Sequence, residues 1–564
     1  MGRLSVLLTT EESYPYHRRD VSTWCHALTK ELSEVDFTVF AVTRHPYLAP
    51  QFEPSRNVRD IITVPCGQMD DPAEYGHHDS FPDYLRRRWS VTTRDVQQDF
   101  LPHYEHFLRE VATPSHPARG LGLKLLEMHL HLRYYDYHRT MTHAAVWDTF
   151  TAVMHEAWRD THPADPSPTL AELIEAWRSF YRLMLPLAVD VRRFDLTHST
   201  AAGFCGLPCI VAKLRRCTPY LLTEHSVYLR AQYLKLADSS PSAFVRWCLC
   251  RLVNTIVDVN YAFADQVSPV CQDNARWEQW RGVEAERITV IYNGADPTKF
   301  GSGLREKHAC PTVVSVGTIS PLKGQFDLIE AAALLRRAVP GVQFGFYGSV
   351  GDEAYFRRCT ELVHALGLQD TVTFGNVDDP SSVLQQADVV ALASVSDAFP
   401  YAVVQAMLTE AAIVATDVGG LREALGDTGM MVPPGDPTAM AEAIAALLRS
   451  PDSCRRLGQH ARERALGLFT EDRVADAYRT SYQRLTDTPD LPDFSEWSPP
   501  SNRTRPCPLR RFRERSHESL QAASRTIQGA ATAWSARRSV RRTAIVDAMR
   551  IRAAPLSVPM VAKS

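Results

Sequence analysis

The chain has 564 residues, enough for several domains with their own cores, and its 45% hydrophobic and 23% charged content excludes a disordered or fibrous protein. A formal net charge of −3 excludes a general electrostatic pull toward nucleic acid, although basic residues crowd the C-terminal end. No run approaches the roughly 18 apolar residues of a membrane span; the twelve scattered cysteines, with Cys205/Cys209 and Cys248/Cys250 the closest sets, lack zinc-site spacing and read as reduced, mostly buried cytosolic thiols.

In chain order, "LSVLLTT" at 4–10 reads as a first strand, since it is shorter than a signal segment, is followed by acids and has no small-residue cleavage site. "VSTWCHALTKELS" has helical spacing and "FTVFAVT" at 37–43 is the next strand, a βαβ opening. From about 67 to 190 the pattern changes to long aromatic amphipathic helices ("FLPHYEHFLREV", "LGLKLLEMHLHLRYYDY", "LAELIEAWRSFYRLMLPLAV"), which we read as a helical insertion. Its histidines, with His77, His78, His129, His131, His138 and His143 the most clustered, read as helix-surface residues rather than metal ligands because no carboxylate spacing accompanies them.

Strand-like segments then return as "FDLTHST", "PYLLTEH", "QVSPV" and "ITVIYNG", alternating with helices as a doubly wound sheet requires. After "NGADPTKF" a second set follows: "TVVSVGT", "QFGFYGS", "TVTFGN", "VVALAS" and "IVATDV". The expected fold is α/β, with two Rossmann-like doubly wound domains at 1–293 and 294–470, a closing helix at 471–486 and a Pro/Arg-rich basic tail over 487–564. The tail, with its arginine pairs and interleaved apolar residues, reads as a solvated extension or an attachment to an anionic membrane surface.

Ligands of such sheets bind beyond the carboxyl ends of the strands, where loops lead into helices. The stretch "SVSDAFPYAVVQAMLTEAAIVATDVGG" at 394–420 has that form: Pro400 suits a first helical turn, Tyr401 opens the helix, and Gly419 and Gly420 let backbone come close at a second loop. The bottom-up expectation is a phosphate or sugar-nucleotide site.

The order "VGTISPLKGQFDLIEAAALL", "SVSDAFPYAVVQAM", "ATDVGGLREAL" resembles the C-terminal domain of retaining family-4 glycosyltransferases of GT-B fold. "LLTTEESYPYHRRDVSTWCHAL", "PYLLTEHSVYLRAQ" and "ITVIYNGADPTKF" are similar to the PelF-type branch, which uses UDP-sugars in exopolysaccharide synthesis; the resemblance spans about 4–486. It implies a nucleotide-sugar donor, a glycan or other acceptor, no metal or other cofactor, no specific nucleic acid, and a cytoplasmic protein working with a membrane export or synthesis complex. It further implies catalytic roles for His225 beside the donor sugar, for Lys323 at the leaving diphosphate and for Asp397, with Thr318, Pro400, Tyr401, Gln405, Gly419 and Gly420 at the donor.

The chain departs from the family pattern at this site. Asp397 and Gln405 stand where the family has two glutamates, and Thr318 stands where it has an arginine, removing a bidentate phosphate partner. In the first loop Arg19 and Asp20 replace glycines; Arg18 or Arg19 would restore positive charge, which Asp20 opposes unless it caps the following helix. These changes leave two readings open: a glycosyltransferase with an altered donor site, or a catalytically impaired protein of the same fold that serves as a binding or scaffold partner.

Overall fold

Near-continuous apolar strands such as "SVLLTTE", buried on both faces, form parallel sheets covered by helices, and the structure contains two of them. In this computed structural model residues 3–67, 80–114, 118–239, 241–301, 310–377 and 379–487 are described. They fall in one compact unit, Met1–Leu491. His77, His78 and the basic tail from 488 lie outside the described residues.

The first sheet has the order β3-β2-β1-β4-β5-β6, built from β1 (Ser5–Glu11), β2 (Asp36–Thr43), β3 (Val58–Pro65), β4 (Leu196–Ser199), β5 (Tyr220–Glu224) and β6 (Gln266–Pro269). The second has the order β12-β11-β10-β7-β8-β9, from β7 (Thr312–Val316), β8 (Gln343–Tyr347), β9 (Val372–Gly375), β10 (Val389–Leu392), β11 (Ala412–Thr416) and β12 (Met430–Val432). All pairings are parallel, for example Leu8 beside Val39 and His198 in the first sheet and Val390 beside Val314 and Ile413 in the second. Renumbered within itself, each sheet has the doubly wound order in which propagation reverses once, between β1 and β4 and between β7 and β10.

The expected strand "ITVIYNG" does not form. Its start makes one isolated bridge, Val267 to Ile288, with Thr289 N donating to Val267 O and Ile291 N to Pro269 O, and the chain then leaves the edge of the first sheet to reach the second.

The helical insertion is present, with helices at Phe81–Ser90, Leu101–Ala112, Ala118–Leu132, Ala144–Thr161 and Leu170–Leu183. The last starts on a capping box, Thr169 with Glu172, which satisfies orphan amides at its first turn. Its histidines are not all at the surface: His129 and His131 are buried, and His129 Nδ1 lies 2.7 Å from Leu187 O, because each sits on the face turned toward the rest of the domain.

The closing helix, Glu471–Asp487, returns to the first sheet. Val474, Ala475, Tyr478 and Tyr482 join the core around Trp24 and Leu28, where each large side chain contributes about 1.5–3 kcal/mol of burial. The tyrosine hydroxyls are paired rather than stranded: Tyr482 with His198 Nδ1 at 2.7 Å and Tyr478 with Thr223 Oγ1 at 2.9 Å. The helix thus joins the end of the second sheet's run of chain to the first sheet.

Candidate functional site

The loops that follow β7 and β10 lie on either side of the reversal in the second sheet, and their backbones are joined. Val395 N and Ser396 N both donate to Leu322 O, at 2.9 and 3.4 Å. Gly324 adopts φ 64°, and a Cβ there would stand 1.9 Å from Ala393 O, so only glycine permits this approach. The joined loops place Lys323 Nζ 2.5 Å from Asp397 Oδ2, an oxygen that also accepts from Ser394 Oγ at 3.1 Å. Burial pulls the Lys323 ammonium toward losing its proton, but the Asp397 and Asp20 carboxylates outweigh it and hold its pKa above the ordinary lysine value. The lysine is therefore a fixed positive charge with a carboxylate already on it.

Gly419 and Gly420 have a different use from the one expected of them. At Gly419, φ 52°, a Cβ would stand 1.6 Å from Asp397 O, and Gly420 N donates to Ala398 O at 2.7 Å. The room they provide is filled by the Asp397 loop, which they brace. Pro400 is the residue before the helix Tyr401–Leu408, with extended backbone at φ −71° and ψ 139°, not a member of its first turn. Tyr401 is buried in the cluster around Trp24, so its ring is engaged in packing. Gln405, one turn further on, is half-buried, and among the described residues none hydrogen-bonds its carboxamide. Thr318 is exposed, and its carbonyl accepts from Gln325 Nε2 at 3.0 Å.

From the first sheet, the loop after β1 delivers Asp20. Arg19 is the cap residue of the helix Asp20–Glu31 and its side chain makes no capping bond, while Asp20 is the first helical residue. The capping role considered for Asp20 is thus absent. Asp20 is exposed at the surface, yet protein surrounds its carboxyl closely enough that desolvation raises its pKa, while Lys323 opposes the rise and Asp397 adds to it. Arg18 and Arg19 are exposed.

His225 follows β5 with its ring edge-on to Trp24, centroids 4.7 Å apart. Burial lowers its pKa to about 3, so the imidazole is neutral at physiological pH, with Asn293 opposing the shift. Among the described residues neither ring nitrogen makes a well-formed hydrogen bond and neither does Asn293 Oδ1, although the Asn293 side chain lies near enough to hydrogen-bond the ring weakly. Asn293 Nδ2 meanwhile donates to Phe399 O at 2.8 Å, just before Pro400. Asn293 thereby connects the linker between the sheets, the Asp397 loop and the histidine, and the ring keeps hydrogen-bonding capacity for a ligand's hydroxyls. Lys323, Asp397 and Asp20 are brought together; His225 and Tyr401 meet through Trp24.

Sequence reasoning missed Asn293, whose signal was its place in "IYNG", and three acids, a half-buried Glu11 and the buried Glu224 and Glu278. Glu11, at the end of β1, accepts from Tyr228 Oη at 2.7 Å and from Phe204 N and Cys205 N at 3.1 and 3.4 Å, closing the first sheet's own reversal point. Glu224, next to His225, accepts from Tyr228 N at 2.9 Å and Tyr261 Oη at 2.6 Å. Its neighbour Glu278 is fully buried, and burial together with the Glu224 charge raises its pKa so that it carries the pair's proton.

Residues 4–286, half of the 564-residue chain, match the family described as Domain of unknown function (DUF3492), and residues 300–464 match the Glycosyl transferases group 1 family. Among curated proteins, the chain is 33% identical over 218 residues to a D-inositol 3-phosphate glycosyltransferase of Nocardia farcinica, covering 36% of this chain and 48% of that protein. It is also 33% identical over 191 residues to the putative glycosyltransferase EpsD of Bacillus subtilis, 33% of this chain and 49% of that one. The chain thus spans about half the length of the curated relatives it matches. Among solved structures, sucrose-phosphate synthase from Thermosynechococcus elongatus aligns with a TM-score of 0.55 at 18% identity, over 86% of this chain and all of that one. HepE of Anabaena, solved with UDP and glucose, aligns at 0.51 and 14%, over 84% and 98%. At such identities the likeness is one of fold, and the fold is the two-domain Rossmann-like GT-B arrangement.

Proposed function

Since the chain belongs to the DUF3492 family and carries a glycosyl transferases group 1 region in its second half, we propose that it is a glycosyltransferase that takes its sugar from a nucleotide-sugar donor, a UDP-sugar, with retention of configuration and no metal. The observation that carries this reading is the fixed positive charge of Lys323 at the reversal point of the second sheet, 2.5 Å from Asp397, where sheets of this class bind nucleotides. The lysine offsets charge that builds on the leaving diphosphate, a stabilisation that counts because it grows in the transition state. His225, neutral and held only loosely by Asn293, offers a donor and an acceptor to the sugar or the reacting centre. The name of the Nocardia relative supports a polyol acceptor, and a role in extracellular polysaccharide or glycoconjugate synthesis suits the motif resemblance. Among the described residues no helix is long and apolar enough to cross a membrane; attachment at the inner face through the basic tail is part of this proposal.

The test is release of nucleoside diphosphate from a panel of UDP-, GDP- and ADP-sugars with polyol and glycan acceptors, followed by the anomeric configuration of the product. Turnover with UDP-sugars and an α-linked product from an α-donor is the expected result. The second reading, a donor-binding protein without transfer, is favoured by the uncharged, unpaired Gln405 and by the prior occupation of Lys323. UDP binding without turnover across the panel would establish it in place of the first.

A further inference from the structure

Lys323 is satisfied before any ligand arrives. Its ammonium meets Asp397 at 2.5 Å, and the charges that act on it are those of Asp397 and Asp20, two acids for one cation. Thr318 adds no charge to the same loop. The pairing is built in by the backbone, because the Leu322 carbonyl holds Val395 N and Ser396 N and the Gly419–Gly420 turn packs on the Asp397 and Ala398 carbonyls. Neither loop can drift away from the other without losing these bonds. The lysine side chain is the more open partner, 24% exposed against 11% for Asp397, so an anion entering from solvent meets the lysine first.

An anion placed on the same ammonium beside Asp397 would leave two negative groups within a few ångströms in a partly desolvated place, where repulsion is strong. Exchange avoids this, and Ser394 Oγ, already 3.1 Å from Asp397 Oδ2, keeps one hydrogen bond on the carboxylate after the lysine turns away. We propose that Asp397 stands in for the donor's phosphate at Lys323 in the ligand-free protein, so that a nucleoside diphosphate binds by displacing it and frees this carboxylate only when the donor is in place. The proposal rests on the donor-site reading above and sets how that site is opened: Asp397 is an internal competitor that lowers affinity for the nucleotide and keeps the acid engaged until a phosphate replaces it.

The experiment is calorimetric titration of UDP, and separately of inorganic pyrophosphate, into the full chain as wild type, Asp397→Asn, Asp397→Ala, Lys323→Ala and the Lys323→Ala/Asp397→Asn double variant, with melting midpoints recorded for each. Removing the competitor is expected to tighten UDP binding about tenfold in both Asp397 variants. In the Lys323→Ala background Asp397→Asn is expected to give no gain, since nothing is left to compete for. Binding that appears in the Asp397 variants but is too weak to detect in wild type supports the proposal in its extreme form. If wild type binds UDP and both Asp397 variants, still folded, bind it equally or more weakly, the exchange is wrong while the donor site stands. If no protein binds either probe, the donor site and the exchange fall together.

Discussion

The two sheets share one strand order and reverse at the same place, yet the loops at their carboxyl ends carry opposite electrostatics. The end of the second sheet holds a lysine kept charged by carboxylates. The end of the first holds His225 and Glu278, kept neutral by burial, and Glu11, whose pKa burial raises against the hydrogen bond from Tyr228. The same topology therefore makes the same crevice twice, and the side chains at its rim decide what each half can hold. A charged half suits a phosphate; a neutral half with hydrogen-bonding capacity left over suits sugar hydroxyls. Asn293, bonded to Phe399 O in the second half and adjacent to His225 in the first, couples them.

The largest effect should separate the halves directly. His225→Ala is expected to lower sugar transfer by roughly a hundredfold or more while leaving the affinity for free UDP within twofold. Equal loss of both would place His225 in nucleotide binding and erase the distinction. Because its pKa is lowered to about 3, His225 should contribute no inflection to the activity profile near its ordinary value of 6.5. Histidine-selective NMR can check that the ring stays neutral from pH 8 down to 5.

Lys323→Ala comes next, with UDP affinity falling about 10- to 100-fold, the value of a charge-assisted hydrogen bond. The melting midpoint should move little, since the Lys323 side chain is partly open to solvent and Ser394 Oγ still donates to Asp397. An unchanged affinity would remove the charged half from nucleotide binding.

The neutral half makes a prediction about stability. Glu278 has a raised folded-state pKa, so its contribution is fully present below the unfolded value of about 4.5 and is lost as pH rises through the folded value. Glu278→Gln keeps the size and a hydrogen-bond donor toward Glu224 but cannot ionise. Its melting midpoint should gain on wild type as pH rises from 5 to 8, by at most about 1.4 kcal/mol of stability per pH unit. Parallel curves for the two proteins would mean that Glu278 is ionised in the fold.

The smallest effect concerns the missing cation. Thr318 is exposed, so Thr318→Arg fits without repacking and should tighten UDP binding several-fold at low salt, with the gain fading as salt screens it. A loss of affinity would indicate that Thr318 itself contacts the ligand.

Most strands were legible because buried parallel strands are apolar throughout. The two that were missed show the limits of that signal: β3, "VRDIITVP", is an edge strand carrying Arg59 and Asp60, and β12, "MMV", has three residues. "ITVIYNG" has a strand's pattern but lies at the sheet edge as the chain crosses to the second domain. At the site, Lys323 and Asp397 were each visible from motif order, but their ion pair joins residues 74 apart and depends on loop backbones that composition does not encode. Glu278 lay hidden in "QDNARWEQW", a polar helix that reads as surface, and only the fold buries it.

The claim on which the rest depends is that a nucleotide occupies the crevice at the carboxyl end of the second sheet. Hydrogen–deuterium exchange of the full chain with and without saturating UDP tests it most directly. The account predicts slowed exchange in the loops 317–325, 394–401 and 418–421, with Lys323→Ala losing that protection at the same UDP concentration. UDP binding that leaves these three loops unchanged and protects another part of the chain would contradict it.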